Sequence, residues 1–262
     1  VTVAPDASLF MLHFPIDTRR LVAFAEAQGI GGARRFDEGY AVHALLRALF
    51  GPSAPVPFTV RAARDLPGPA VLAYGPEPLA GLAHTAGLTA EPLAHAVVDW
   101  ARAADKPMPA AFPAGMRVGF EVRACPVVRV GRSTVAKRPG AEVDAFLSAL
   151  DAYDRSGEGA ERPVRESVYL DWLRRHLEGG GAAGLLDGRV DARRLRTVLR
   201  KTQPTEDKPD RASRNFARPD VVFSGTLRVE DSIAFRTLLA RGIGRHRSFG
   251  FGMLLLRPAG ND

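Results

Sequence analysis

Asp231-Ser-Ile-Ala-Phe-Arg-Thr-Leu-Leu-Ala-Arg241 and the run after it, Gly242-Ile-Gly-Arg-His-Arg-Ser-Phe-Gly-Phe-Gly-Met-Leu-Leu-Leu-Arg-Pro258, read as a helix, a glycine turn and a closing strand. Asp231 is a helix N-cap candidate, and Gly242 is a stop signal after the last helical residue. Four glycines (Gly242, Gly244, Gly250, Gly252) surround Arg245, His246 and Arg247. Glycine tolerates positive φ and lets backbone approach a ligand closely, and the interleaved cations supply charge there. A turn of this kind suits a polyanion.

Outward from this stretch the elements alternate. Val221–Val229 reads as a strand, preceded by a basic region at 189–218 and a helix from about Val164 to Leu177. Met116–Val130 alternates apolar and polar residues as one or two strands, with Pro126 at an edge or kink. The first half has the same grammar. Leu9–Ile16 is a strand, Asp17–Gln28 a helix ending at Gly29, and Asp37–Phe50 a second helix closed by Gly51-Pro52. Val56–Arg64 and Ala70–Tyr74 form a hairpin about Pro67-Gly68-Pro69, and Glu91–Ala104 is expected as a helix with a stripe through Leu93, Val97 and Trp100. Strand, helix, two strands, helix, strand, twice over, predicts an α+β protein of two tandem ferredoxin-like (RRM-like, split βαβ) domains. The expected division is residues 1–115 and 116–262.

The chain has 262 residues, 46% hydrophobic and 25% charged, the balance of a soluble globular protein. Its net charge is +7, and only four of its 36 basic residues are lysine. Between Arg189 and Arg218 stand ten basic and four acidic residues, nearly the whole excess. Concentrated charge points to nucleic acid or another acidic partner. Cys125 is the only cysteine, which excludes an internal disulfide and fits a reducing cytoplasm. The opening residues do not read as a signal peptide, and no apolar run approaches the roughly 20 residues that span a bilayer. No membrane association is expected.

Gly242-x-Gly244-x-x-Arg247 lacks the third glycine of a dinucleotide fingerprint and follows a helix, and the chain has no Gly-x-x-x-x-Gly-Lys phosphate loop. Six histidines without ligand spacing predict neither metal nor cofactor. Tyr40 and His43 lie three residues apart in the first turns of the 37–50 helix, beside its apolar stripe of Val42, Leu45, Leu46 and Leu49. A helix N-terminus disfavours imidazolium, so His43 is a candidate base near neutral pH. A structural His–Tyr pair is the competing reading. Arg193, Arg196 and Arg200 are spaced to line one helix or hairpin face of the basic region, expected as a solvated surface or an RNA-ordered loop, with Phe216 free to stack on a base.

Three segments together resemble the CasE family, the CRISPR repeat endoribonucleases of type I-E systems within the RAMP superfamily. They are Tyr40-Ala-Val-His43 leading into Leu-Leu-Arg-Ala-Leu-Phe50, Phe120-Glu-Val-Arg-Ala-Cys-Pro126, and Val222-Phe-Ser-Gly-Thr-Leu227 through the glycine turn. The resemblance implies metal-independent cutting of CRISPR precursor RNA within each repeat, leaving 2′,3′-cyclic phosphate and 5′-hydroxyl ends. It implies retention of the crRNA 3′ hairpin as a Cascade subunit in the cytoplasm, beside other Cascade subunits including the adjacent backbone subunit. Tyr40 and His43 would be catalytic. Arg123, Lys137, Arg138, Arg193, Arg196, Arg200, Lys201, Arg214, Gly242, Gly244, Arg245, His246, Arg247 and Gly250 would bind RNA. Three features depart from the family's pattern: the helix at 17–28, segment 139–163, which reads as an insertion, and Arg247, where relatives often carry lysine. The alternative is a non-catalytic RAMP subunit that grips guide RNA as scaffold.

Overall fold

The computed structural model describes residues 8–30, 36–62, 68–131, 140–156, 161–201 and 213–259, the side chains of 197–201 and 213–216 excepted. The first unit runs β1 (Phe10–Pro15), α1 (Thr18–Ala27), α2 (Glu38–Phe50), β2 (Phe58–Ala62), β3 (Pro69–Gly75), α3 (Leu79–Thr89), α4 (Pro92–His95) and β4 (Ala104–Pro107). Its four strands lie in the order β2-β3-β1-β4, with antiparallel neighbours. The second unit runs β5 (Arg117–Ala124), β6 (Val127–Arg129), β7 (Glu142–Asp144), α5 (Ala145–Ser156), α6 (Arg165–Glu178), β8 (Ala183–Lys201), β9 (Ser213–Val229), α7 (Ser232–Arg241) and β10 (Leu254–Pro258). Its main sheet reads β10-β5-β9-β8, and β6 and β7 pair separately. In each main sheet the first strand sits between the fourth and third, so both units are ferredoxin-like.

The expected patterns explain why most of these elements form. Asp17 caps α1 by accepting from the amides of Arg19 and Arg20, and Leu21, Phe24 and Ala25 turn inward. The α2 stripe packs with Leu12, Phe14 and Phe58 of the first sheet. Each such side chain, fully buried, contributes roughly 1.5–3 kcal/mol. A second core gathers Phe120, Trp172, Phe223, Phe235 and Leu254, and takes in Leu9 and Tyr74 from the first unit. The buried Tyr74 hydroxyl donates to the Leu254 carbonyl at 3.0 Å, and Arg61 of β2 pairs with Glu121 of β5. These contacts dock the two units on each other.

Three expectations change. The helix expected at Glu91–Ala104 is only the single turn of α4. Beyond it the backbone pairs with the end of the first strand: the Asp17 amide donates to the Val97 carbonyl and the Asp99 amide to that of Pro15, each at 2.9 Å. Val97 is still buried, while Leu93 is exposed. Helix α3 was not anticipated, because Gly81 and Gly87 interrupt it and only Leu82 and Ala86 mark a buried face. Of the readings of the basic region, the strands follow the hairpin face and not the helix or the loop. The region forms the outer parts of β8 and β9, whose ladder continues from Arg194↔Asp220 to Lys201↔Ser213, past the last β5–β9 rung at Ala124↔Val221. A two-stranded ribbon thus continues past the sheet, and within the sheet β8 carries register shifts between Leu185 and Asp187 and between Val190 and Ala192. Among its described residues, segment 139–163 contains β7 and α5. The Pro67 end of the β2–β3 turn lies outside the described residues.

Candidate active site

Helix α2 holds Tyr40 and His43 at its start. Asp37 is the N-cap, and its Oδ1 accepts from the Tyr40 amide at 3.3 Å. Both side chains are half-buried at the edge of the core. Among the described residues, no hydrogen bond engages the Tyr40 hydroxyl or the His43 imidazole. Burial, and then the Arg47 guanidinium one turn along, hold His43 below its ordinary pKa of 6.5. The ring is therefore neutral at pH 7 and open to accept a proton.

The glycine turn lies directly on this helix. Phe249 stacks on Tyr40 with ring centres 5.9 Å apart and planes within 6°, and stands 5.1 Å from the His43 ring. Helix and turn approach so closely that a Cβ on Gly39 would sit 2.3 Å from the Phe249 carbonyl oxygen. Gly252, at φ +78°, is equally constrained: its amide donates to the Arg123 carbonyl, its carbonyl accepts from Ile243, and a Cβ would lie 2.2 Å from the Ile243 oxygen. His246 takes the left-handed conformation at φ 61°, uncommon outside glycine and one that histidine tolerates better than most. Gly39→Ala sets two effects against each other. Alanine gains up to about 1 kcal/mol in helix propensity, while the clash with backbone costs roughly 1–3 kcal/mol. The clash should win, so the variant is expected to melt below the parent in calorimetry; an unchanged or higher melting temperature contradicts this contact.

The turn's cations are unequally engaged. Glu142 of β7 accepts from Arg245 Nε at 2.5 Å and His246 Nε2 at 3.1 Å, and lies 3.6 Å from Arg218 Nη2. Burial raises the Glu142 pKa, but His246, Arg245 and Arg218 together bring it below the usual carboxylate range. Burial, with Arg218 and Arg245, holds the His246 pKa below its ordinary value against the opposing pull of Glu142. Arg247 has no carboxylate partner among the described residues. Its Nη1 donates to the Arg241 carbonyl at 2.6 Å, and burial, Arg241 and Arg245 all disfavour its charge. On this flank a cleft of about 840 Å³ opens, walled by Arg241, Arg245, Arg247, Phe249 and the 52–56 and 75–77 segments. An anion entering there would meet Arg247, which has no carboxylate partner among the described residues, while Glu142 on the same wall already holds Arg245.

The remaining expected residues divide. Arg123 is largely buried and holds Asp220 with Nε and Nη2, both at 2.7 Å, while lying 4.6 Å from the Phe251 ring centre. It is thus engaged inside the protein, beneath the turn, instead of standing open to a phosphate. Arg193 and Arg196 do not share a face. In a regular strand residues three apart point to opposite sides, so Arg193 turns outward while Arg196 turns in and reaches Asp37 at 3.5 Å. Arg200 pairs with Arg214 in the outer ladder and Lys201 with Ser213, but their side chains, like that of Phe216, are outside the described part. Lys137 and Arg138 lie outside the described residues altogether. Gly242, Gly244 and Gly250 have φ values of +74°, +70° and +83°, and Trp172 fills the space a Gly244 side chain would need. Phe249, Arg47, Glu142, Arg194 and Arg218 escaped the sequence reading. Only Arg47, four residues from His43 on one helix, carried a signal there.

The model of a family described as CRISPR associated protein matches residues 9–258. The chain belongs to that family. No curated protein sequence matches it. Among solved structures, the fold of this CRISPR-associated protein resembles that of CRISPR endoribonuclease Cse3 bound to a 19-nucleotide RNA, at 18% identity and a TM-score of 0.60, over 96% of this chain and 100% of that one. It resembles Thermus thermophilus Cse3 bound to an RNA representing a pre-cleavage complex, at 19% and 0.57, over 96% and 100%. It also resembles Cas6e of Escherichia coli K-12, at 19% and 0.50, over 95% and 99%. Among the described residues, no helix is long and apolar enough to cross a membrane, and no three His, Cys, Asp or Glu side chains are grouped to hold a metal ion.

Proposed function

We propose that this chain is an endoribonuclease that cuts CRISPR precursor RNA within its repeats and keeps the 3′ hairpin of the product as a Cascade subunit. The observation that carries the reading is the meeting of Tyr40 and His43, free of protein hydrogen bonds among the described residues, with a cationic glycine turn from the other end of the chain. Relatives of the same fold support it: one is an endoribonuclease with RNA bound, and another is part of an RNA-guided surveillance complex at a TM-score of 0.54. In this reading the division falls between 1–115, which carries the Tyr40–His43 helix, and 116–262, which carries the ribbon and the turn.

The chemistry follows from what each group can do. His43 accepts the proton of a ribose 2′-hydroxyl, and the 2′-oxygen attacks the adjacent phosphorus. The bond from phosphorus to the 5′-oxygen breaks, and that oxygen leaves as a hydroxyl once it gains a proton, which His43 in its protonated state can return. Tyr40 orients the nucleophile or the departing oxygen. Arg247 and the turn amides offset the charge that builds on the phosphorane. The nucleophile is already tethered beside its target, so neither a metal-activated water nor a cofactor is required. The ribbon cations Arg193, Arg200, Lys201 and Arg214 would hold the hairpin phosphates.

A synthetic repeat hairpin incubated with the protein in excess EDTA is the direct test. The expected result is one cut, with a 2′,3′-cyclic phosphate on the upstream fragment and a 5′-hydroxyl on the downstream one. RNA that is bound but intact would leave a scaffold subunit instead. Cleavage that appears only when divalent ions are restored would replace this mechanism with a metal-dependent one.

A further inference from the structure

Arg196 and Arg218 stand directly opposite each other at the base of the ribbon. Like charges in that register repel and destabilise a strand pair unless each is otherwise neutralised. Here each has its own carboxylate, and the two carboxylates belong to the two halves of the candidate active site. Arg196 Nη2 lies 3.5 Å from Asp37 Oδ1, the same oxygen that caps α2 through the Tyr40 amide. Arg218 Nη2 lies 3.6 Å from Glu142, the anchor of Arg245 and His246. The rung is shielded from solvent: the Arg196 and Arg218 side chains are 20% and 16% exposed, against 67% for Arg194 one step inward.

We propose that Arg196 is a positioning residue: through Asp37 it couples the seating of the ribbon to the placement of Tyr40 and His43. Arg218 does the same for the turn through Glu142. The proposal rests on the RNA-cleavage reading above. RNA gripping the outer ribbon fixes the angle at which the ribbon leaves the sheet, and the rung carries that angle to the first turn of α2. Placement matters because a displacement of about 1 Å in a reacting group can cost about 100-fold in rate.

Single-turnover cleavage at saturating protein separates placement from affinity. Arg196→Gln is expected to slow the saturated rate about tenfold while changing hairpin affinity little. Asp37→Asn keeps the helix cap, since asparagine caps as well as aspartate, yet removes the charge; it should slow the rate alike. The double variant should be no slower than either single one, and Arg196→Lys should recover part of the loss. Arg193→Gln, on the outward face, should instead weaken binding and flatten its salt dependence. An Arg196→Gln variant that loses affinity but cuts at the parental rate when saturated overturns the proposal, as do effects that multiply in the double variant. If the parent protein leaves RNA uncut, the cleavage reading falls and amide exchange in α2 decides the coupling. Hairpin RNA should then slow exchange of the first-turn amides in the parent but not in Arg196→Gln, and equal slowing in both overturns it.

Discussion

His43→Ala is expected to cut repeat RNA about 100-fold more slowly than the parent or worse, with hairpin affinity within a few-fold. The magnitude is that of losing a proton-transfer group, about 2.7 kcal/mol at the transition state. Affinity survives because the ring has no protein hydrogen bond among the described residues and its charge is not part of the ribbon. The pH dependence gives a second reading of the same group. A base works only when neutral, so its rate falls as acid protonates it. Burial first, and Arg47 second, place His43 below 6.5. The parental rate should therefore stay level from neutral pH to below 6.5 and decline only beyond that, and Arg47→Gln should move the decline to higher pH. Parental cleavage by His43→Ala would remove this residue from the chemistry.

Asp220→Asn is the stability counterpart, with an expected loss of about 3 kcal/mol and a melting temperature lower by roughly 6–12 °C. Asp220 is almost fully buried and takes three guanidinium hydrogen bonds, two from Arg123 and one from Arg194, each at 2.7 Å. Asparagine turns an NH₂ group toward those donors and strands the charge of Arg123, which has little access to water. Arg194 is two-thirds exposed and simply returns to solvent, so Arg194→Ala should cost under about 1 kcal/mol. Burial alone would raise the Asp220 pKa, but Arg123 and then Arg194 hold it below its ordinary value. A carboxylate depressed in the folded state stabilises fully above its unfolded pKa of about 3.9, and the benefit is lost as pH falls through the folded value. The gap between variant and parent in calorimetry should thus be constant from pH 7 to pH 5 and close only below about pH 4. Equal melting temperatures at pH 7 would show that this cluster does not hold the second sheet to the glycine turn.

The fold was readable wherever one face of an element meets the core. Asp37, the α2 stripe and Gly51 mark a helix that forms as its pattern requires, and Asp231 and Gly242 bracket α7 equally well. Reading failed where tertiary pairing or weak patterning took over. The stripe at Leu93, Val97 and Trp100 was helical in spacing, but strand-like bonds to Pro15 and Asp17 claimed its backbone. The arginine spacing of the basic region fitted a helix or a hairpin face equally, and only the pairing of β8 with β9 chooses between them. The site was half legible. Tyr40 and His43 share one helix and could be paired from spacing alone. Phe249, Glu142 and the Arg196–Asp37 contact join distant segments, and nothing local in the chain announces them.

The closeness of Gly39 to the Phe249 carbonyl has a consequence for the order in which the molecule becomes competent. One partner belongs to α2 and the other to the turn before β10, so most of the second unit is made between them. A nascent chain can complete its first sheet and still lack half of the candidate site. On the cleavage reading, copies that stop before the turn would lack its cations, and the site would come together only once that turn is made.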